Sequence, residues 1–200
     1  MGDLWIAVVL GIVEGLTEFL PVSSTGHLIV VGDLLNFNGD KAKCFEIIIQ
    51  LGAILAVVCL YWHRFIGLIP FRGLKFDDTQ GLSGARGLAL LFLTSIPAAT
   101  LGLLAHKAIK AYLFSPVTVA WALGVGGIAM LLAERYKPES NVRALDGISY
   151  RQALLVGCFQ CFALWPGMSR SASTIIGGLF VGLDRRTATE YSFLAAVPIM

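Results

Sequence analysis

Two short stretches hold most of the side chains that could do chemistry. Residues 14–27 read EGLTEFLPVSSTGH, and residues 166–174 read PGMSRSAST. In the first, Glu14 and Glu18 are four apart, so on a helix they share a face. Like charges at that spacing repel, and an ionised carboxylate within a membrane is costly. The plain account is a helix end wetted near lipid headgroups. The chemical accounts are a proton-coupled site or a bound cation, because Mg²⁺ and Ca²⁺ take oxygen ligands and accept carboxylates together with substrate phosphates. Ser23, Ser24 and Thr25 follow Pro21, where a helix should end. At least one of them should cap the next helix, expected over Leu28–Leu35. Three hydroxyls followed by Gly26 and His27 also form an anion cradle, since a helix N-terminus offers unpaired N–H groups and partial positive charge. His27 alone would be structural; beside two acids and a hydroxyl cluster it becomes a candidate catalytic acid or base.

The second stretch supplies the opposite charge. Arg170 between two apolar segments would be expensive if unpaired, and snorkelling to the interface is its plain account. Ser169, Ser171, Ser173 and Thr174 surround it at another expected helix N-terminus. A guanidinium grips phosphate through a planar, bidentate fork. Acids, histidine and hydroxyls on one stretch, with arginine and hydroxyls on the other, point to metal-assisted phosphate chemistry on a lipid.

Composition explains the lipid. The chain is 56% hydrophobic and 14% charged, with mean hydropathy +0.77. Soluble domains carry about 25% charged residues, so the expectation is an integral membrane protein. A net charge of +2, carried in loops, gives no reason to expect nucleic acid. The opening MGDLW has an acid, no basic region and no small-residue cleavage site after WIAVVLGIV, unlike a signal peptide. Cys158 and Cys161 form a C-x-x-C, but no second pair stands at zinc spacing, and with Cys44 and Cys59 they read as small apolar helix residues.

Three segments approach the roughly 20 apolar residues that a spanning helix needs: Phe45 to about Ile69, with the span itself expected up to Trp62, Gly87–Ala105 and Val117–Ala133. Two regions do not. Leu4–Leu20 followed by His27–Leu35, and Gln152–Trp165 followed by IIGGLFVGL, each read as helix, polar turn, helix, with arms too short to cross. Irregular backbone is tolerated at that depth only where protein or water surrounds it. Two re-entrant helical hairpins are therefore expected. A shift of 146 residues sets Gly11 on Gly157, Glu14 on Gln160 and Phe19 on Trp165, with Pro21 and Pro166 one out of step. The helix from Phe45 then corresponds to one beginning near Tyr191. An internal repeat follows, with halves of about 1–105 and about 117–200 in one membrane domain.

Loop charges set the orientation. Arg64, Arg72, Lys75 and Arg86 lie in one loop, Arg135, Lys137, Arg143 and Arg151 in another, and only Lys107 and Lys110 between them. The first two loops are expected inside and the third outside. The hairpins then enter from opposite faces, the first ending at Gly39–Lys43 and the second at Asp184–Arg186, as an inverted-topology repeat requires. Their tips can meet near the midplane. The apolar run EYSFLAAVPIM ends the chain, so the second half reads as truncated, with further spans expected after Met200.

EGLTEFLPVSSTGH and PGMSRSAST resemble the two signature motifs of the undecaprenyl-diphosphatase, or bacitracin-resistance, family, and FEIIIQLGAILAVV between them is similar as well. The resemblance runs along essentially the whole chain. It implies an all-α, polytopic enzyme of the bacterial inner membrane that removes one phosphate from undecaprenyl diphosphate. It also implies a site open to the periplasmic side, a requirement for a divalent cation, and polyprenyl diphosphate and membrane lipids as partners, with a homodimer left open. By motif, Glu14 and Glu18 bind metal or assist proton transfer, Ser24 is the nucleophile or a phosphate ligand, and His27 is the base or acid. Arg170 grips the diphosphate with Ser169, Ser171 and Thr174, and Ser23 and Thr25 join the phosphate cradle. The rival reading is a polyprenyl-phosphate flippase or ion-coupled transporter, because inverted repeats with broken helices are also a transporter architecture.

Overall fold

The computed structural model describes residues 2–37, 39–69, 82–113 and 115–200; Arg72 and Lys75, counted above among the loop charges, lie outside them. The described residues are helical throughout, apart from short connections and one isolated parallel bridge, Val142 to Leu183. In chain order the helices are α1 (Gly2–Thr17), α2 (Ser24–Leu34), α3 (Asp40–Leu60), α4 (Trp62–Gly67), α5 (Gly84–Tyr112), α6 (Pro116–Tyr136), α7 (Tyr150–Gln160), α8 (Arg170–Phe180) and α9 (Arg185–Ile199).

Length together with apolar character separates two of them from the rest. α5 and α6 are long and apolar enough to cross a membrane. Their outward faces carry Leu103, Leu104, Trp121 and Leu131, all exposed. A soluble surface would not collect apolar side chains in this way. The protein is an all-helical membrane protein. The arms of the two polar regions are short: α2, α7 and α8 have 11 residues each. α2 and α8 begin 146 residues apart (170 − 24), the offset at which the sequence aligns with itself.

Three boundaries differ from expectation, each for a local reason. α5 runs on to Tyr112, because nothing after Ala105 breaks a helix until Ser115–Pro116, where Ser115 and Thr118 form a capping box for α6. α3 begins at Asp40, so the expected Gly39–Lys43 loop is largely its first turn. It ends at Leu60, two residues short of the expected limit of the span at Trp62, where α4 begins as a separate helix.

The buried core lies where α5, α7, α8 and α9 pack, around Leu90, Ala153, Val156, Leu194 and Ala195. Small residues permit the close approach. A Cβ on Gly157 would stand 2.5 Å from the carbonyl oxygen of Thr94, and one on Gly177 would stand 2.6 Å from Phe159 Cβ. The Thr94 hydroxyl lies 2.6 Å from that of Tyr191 and 3.0 Å from the Ala153 carbonyl, locking the three helices at one level. Gly157→Ala should therefore lower the thermal midpoint in detergent by the equivalent of about 1–3 kcal/mol of overpacking. Gly11→Ala, at the matching position of α1 with nothing within 4 Å, should not lower it.

One end of the bundle gathers the basic loops. Arg86 donates to the carbonyls of Asp146 (2.7 Å) and Ile148 (2.6 Å), and Arg64 pairs with Glu190 at 2.9 Å. Arg185 pairs with Glu134, and the N–H of Asn141 donates to Gly182 O at 2.8 Å. α4, the first turn of α5, the segment after α6 and the α8–α9 turn thus share one face. Lys107 and Lys110, near the C-terminal end of α5, lie at the opposite end.

Candidate active site

The two polar turns are built alike. Ser23 caps α2, accepting from the N–H of Gly26 at 3.3 Å, and Ser169 caps α8, accepting from Ala172 N–H at 3.2 Å. Because Ser23 is the cap, α2 starts four residues earlier than expected, and Ser24, Thr25, Gly26 and His27 form its first turn. Ser23 holds φ 65°, ψ 100°, a left-handed conformation that costs a non-glycine residue on the order of 1–3 kcal/mol. Its counterpart Ser169 is relaxed at φ −65°. In the second turn the unusual angle falls on Gly167 (φ +93°), whose backbone lies so close to Val119 that a Cβ would stand 2.7 Å from that residue's carbonyl oxygen.

The tips meet. Arg170, the first residue of α8, donates through Nη2 to Glu18 Oε1 at 2.9 Å, across 152 residues of sequence. Glu18 lies just beyond the end of α1, its N–H still bonded to Glu14 O at 2.9 Å, so its side chain is free to leave the helix face. Its second oxygen, Oε2, accepts from the Ser24 hydroxyl at 2.5 Å. Ser171 Oγ donates to Leu20 O at 2.9 Å and fastens the two turns together. Arg170 Nη1 donates to Ser192 O at 3.1 Å, anchoring the guanidinium to α9. The Arg170 and Glu18 side chains are only 13% and 6% exposed, so the pair is well desolvated.

A cavity of about 230 Å³ opens at this junction, and Glu18, Ser23, Ser24, Thr25, Ser169 and Arg170 all line it. The remaining candidates are placed differently. Ser171 and Thr174 are buried in the framework: Ser171 is bonded to Leu20 and lies 2.9 Å from Ser169 Oγ, and the Thr174 hydroxyl lies 2.6 Å from Ser192 Oγ. Neither lines the cavity. His27 is exposed and also off the cavity wall, with Nδ1 2.8 Å from the Ser23 carbonyl. A ring nitrogen facing a carbonyl must be the donor, so in the neutral imidazole Nε2 is the basic nitrogen. Glu14 is 2% exposed, and among the described residues its Oε2 has no hydrogen-bond partner.

No three or more His, Cys, Asp or Glu side chains cluster closely enough to form a protein cage for a metal among the described residues. Both Glu18 oxygens are engaged, and a buried, unpartnered carboxylate oxygen remains on Glu14, one turn away. That donor set fits a hard divalent ion held by one or two carboxylates and completed by substrate oxygens.

Three further residues contribute to the site. Ser192 gave no signal in the sequence, because its contribution is largely a backbone carbonyl presented to Arg170. Gln50, on α3, lines the cavity but sat in an ordinary apolar run. Gln160 was visible only as the residue aligned with Glu14, and it too lines the cavity.

This fold and site define a polytopic helical membrane protein with a desolvated arginine–carboxylate–serine cluster where two polar turns interlock. The chain belongs to the family described as bacitracin resistance protein BacA, whose profile matches residues 7–200. Among its curated relatives is an undecaprenyl-diphosphatase of Maridesulfovibrio salexigens, 61% identical across 100% of this chain and 74% of the relative. Undecaprenyl-diphosphatases of Nitratidesulfovibrio vulgaris (60%) and Solidesulfovibrio magneticus (58%) match over the same shares.

Proposed function

We propose that the protein hydrolyses undecaprenyl diphosphate to undecaprenyl phosphate and phosphate, recycling the lipid carrier for cell-wall synthesis. The observation that carries this reading is Glu18, which joins a serine hydroxyl from one turn to a buried arginine from the other. That is the minimum set for phosphoryl transfer: a nucleophile, a base in contact with it, and a fixed cation for the charge on the phosphoryl oxygens.

In the proposed sequence Ser24 Oγ bonds to the terminal phosphorus and passes its proton to Glu18. The bond to the bridging oxygen breaks with its electron pair, leaving the lipid monophosphate. Water then attacks the phosphoserine; the P–Oγ bond breaks, Oγ recovers the proton from Glu18, and Glu18 takes one from the water. Arg170 neutralises charge on the phosphoryl group, and the N-termini of α2 and α8 add partial positive charge. His27, exposed on the first turn of α2, exchanges protons with solvent. Ser171 and Thr174 keep the α8 turn in place. Glu14 and Glu18 would hold a Mg²⁺ or Ca²⁺ ion, which when bound supplies charge to the diphosphate oxygens.

The chain forms two inverted repeats, each opened by a re-entrant hairpin, in the bacterial inner membrane, with the cavity accessible from the periplasmic side. Support comes from the equal 11-residue lengths and 146-residue offset of α2 and α8, and from Arg64, Arg86 and Arg185 gathered on one face. A homodimer is compatible with this arrangement.

The test is phosphate release from a polyprenyl diphosphate by the purified protein in detergent, with and without EDTA. Release should fall to background with EDTA and return on adding Mg²⁺ or Ca²⁺. Intact lipid moved across vesicles without phosphate release would establish the flippase reading instead.

A further inference from the structure

Gln160, the last residue of α7, is 2% exposed and contributes to the wall of the cavity that holds Ser24, Glu18 and Arg170. Among the described residues neither its Nε2 nor its Oε1 has a hydrogen-bond partner. A buried carboxamide left in that state is costly, and native folds rarely keep one without a use. Its position is also fixed. Gly157, one turn earlier, packs against the backbone of Thr94, and the chain tightens into a 3₁₀ turn over Cys161–Leu164 immediately afterwards.

The other buried polar side chains that line the cavity have partners, and Arg170 has them at both terminal nitrogens. Both Glu18 oxygens are engaged, Ser24 donates to Glu18, Ser169 faces Ser171, and Arg170 uses Nη1 and Nη2. Arg170 Nε is unpartnered but is a donor only. Gln160 offers a donor and an acceptor together, as Gln50 on α3 also does, but only Gln160 is fully buried with both amide atoms unpartnered. An ionised phosphoryl group accepts hydrogen bonds and can satisfy Nε2 alone; Oε1 needs a donor. In a hydrolysis, the donor that must reach the reacting phosphorus is water. The residue aligned with Gln160 at the 146-residue offset is the acid Glu14. A third carboxylate here would add negative charge beside a diphosphate, whereas an amide adds none.

We infer that Gln160 is the positioning residue for the hydrolytic water, an inference that rests on the hydrolase reading above. Oε1 accepts one hydrogen of the water and turns a lone pair toward phosphorus, while Nε2 donates to an oxygen of the phosphoryl group under attack. The water oxygen bonds to phosphorus, and the bond to the leaving oxygen breaks with its electron pair. That oxygen is Ser24 Oγ in the two-step route and the bridging oxygen in a one-step route. One water hydrogen stays on the released phosphate, and the other leaves as a proton through Glu18.

The test uses the purified protein in detergent with farnesyl diphosphate and added methanol, scoring inorganic phosphate against methyl phosphate. Gln160→Met, of similar length but without the amide, should lower kcat for phosphate release by about 100-fold, with KM changed less than about 3-fold. The methyl phosphate to phosphate ratio should rise, because methanol does not depend on the lost water contact. The thermal midpoint should hold or increase, since an unpartnered amide has been removed; a purely structural role predicts the reverse. Gln160→Glu, isosteric and keeping the acceptor, should raise KM through its added charge while its methyl phosphate to phosphate ratio falls between wild type and Gln160→Met, and that ratio decides the matter if Gln160→Met does not fold. An unchanged ratio and kcat in the folded variants, or a rise in KM alone, overturns the inference. Absence of phosphate release by the wild type would instead overturn the hydrolase reading.

Discussion

Glu18→Ala is expected to abolish phosphate release and to destabilise the fold in the same stroke. One carboxylate joins Ser24 to Arg170, so its loss removes the proposed base, the orientation of the hydroxyl and the counter-charge of a largely desolvated guanidinium. A fall in rate of about 10³-fold or more is expected from losing a preorganised electrostatic group together with its base. Stability should fall as well, because removing one member of a buried ion pair leaves an uncompensated charge and costs about 3–5 kcal/mol. Arg170→Ala should lose activity to the same extent, since no other cationic side chain lines the cavity among the described residues. The double variant makes the reasoning testable. With both charges gone, neither is stranded, so its thermal midpoint should lie above that of at least one single variant while its activity stays absent. Additive destabilisation across the cycle would show that the two side chains are not coupled in solution.

Ser24→Ala carries the second large effect. The Ser24 hydroxyl already lies 2.5 Å from Glu18 Oε2, so proton removal requires no rearrangement. If Ser24 is the nucleophile, alanine should reduce turnover by about 10³-fold or more, as loss of a covalent nucleophile does in other hydrolases. Brief acid quenching of the wild type with substrate labelled at the terminal phosphate should then trap label on Ser24. Near-normal turnover of Ser24→Ala, with no label trapped in wild type, would transfer the attack to water directly. Thr25→Ala should cost far less than Ser24→Ala: Thr25 lines the same cavity and could touch phosphate, but it is exposed and no bond to Glu18 depends on it.

Much of this architecture was legible before any coordinates. The excess of apolar residues and the shortage of charge implied a membrane protein, because such a chain cannot cover a wetted surface. Proline followed by hydroxyls marked both polar turns, since Pro21 and Pro166 cannot continue a helix and serine is a strong cap. Helix ends were less legible. α2 starts at Ser24 because Ser23 accepts the strained backbone that makes it the cap, and periodicity carries no trace of that. The hydroxyls of PGMSRSAST look alike in sequence, yet Ser169 faces the cavity while Ser171 and Thr174 fasten the framework. Which one faces which way depends on the rotation of α8 against α1 and α9.

The sequence by itself determined the inventory: a greasy helical chain, two polar interruptions, and which side chains each of them holds. That information is local, because burial cost and backbone propensity act residue by residue. Tertiary structure decided the partnerships. Glu18 meets Arg170 across 152 residues, Ser192 lends a carbonyl from α9, and Gln160 comes to rest in the cavity wall. Those contacts arise from how four helices pack around Gly157 and the interlocked turns, and packing is a property of the assembled surfaces rather than of any one stretch.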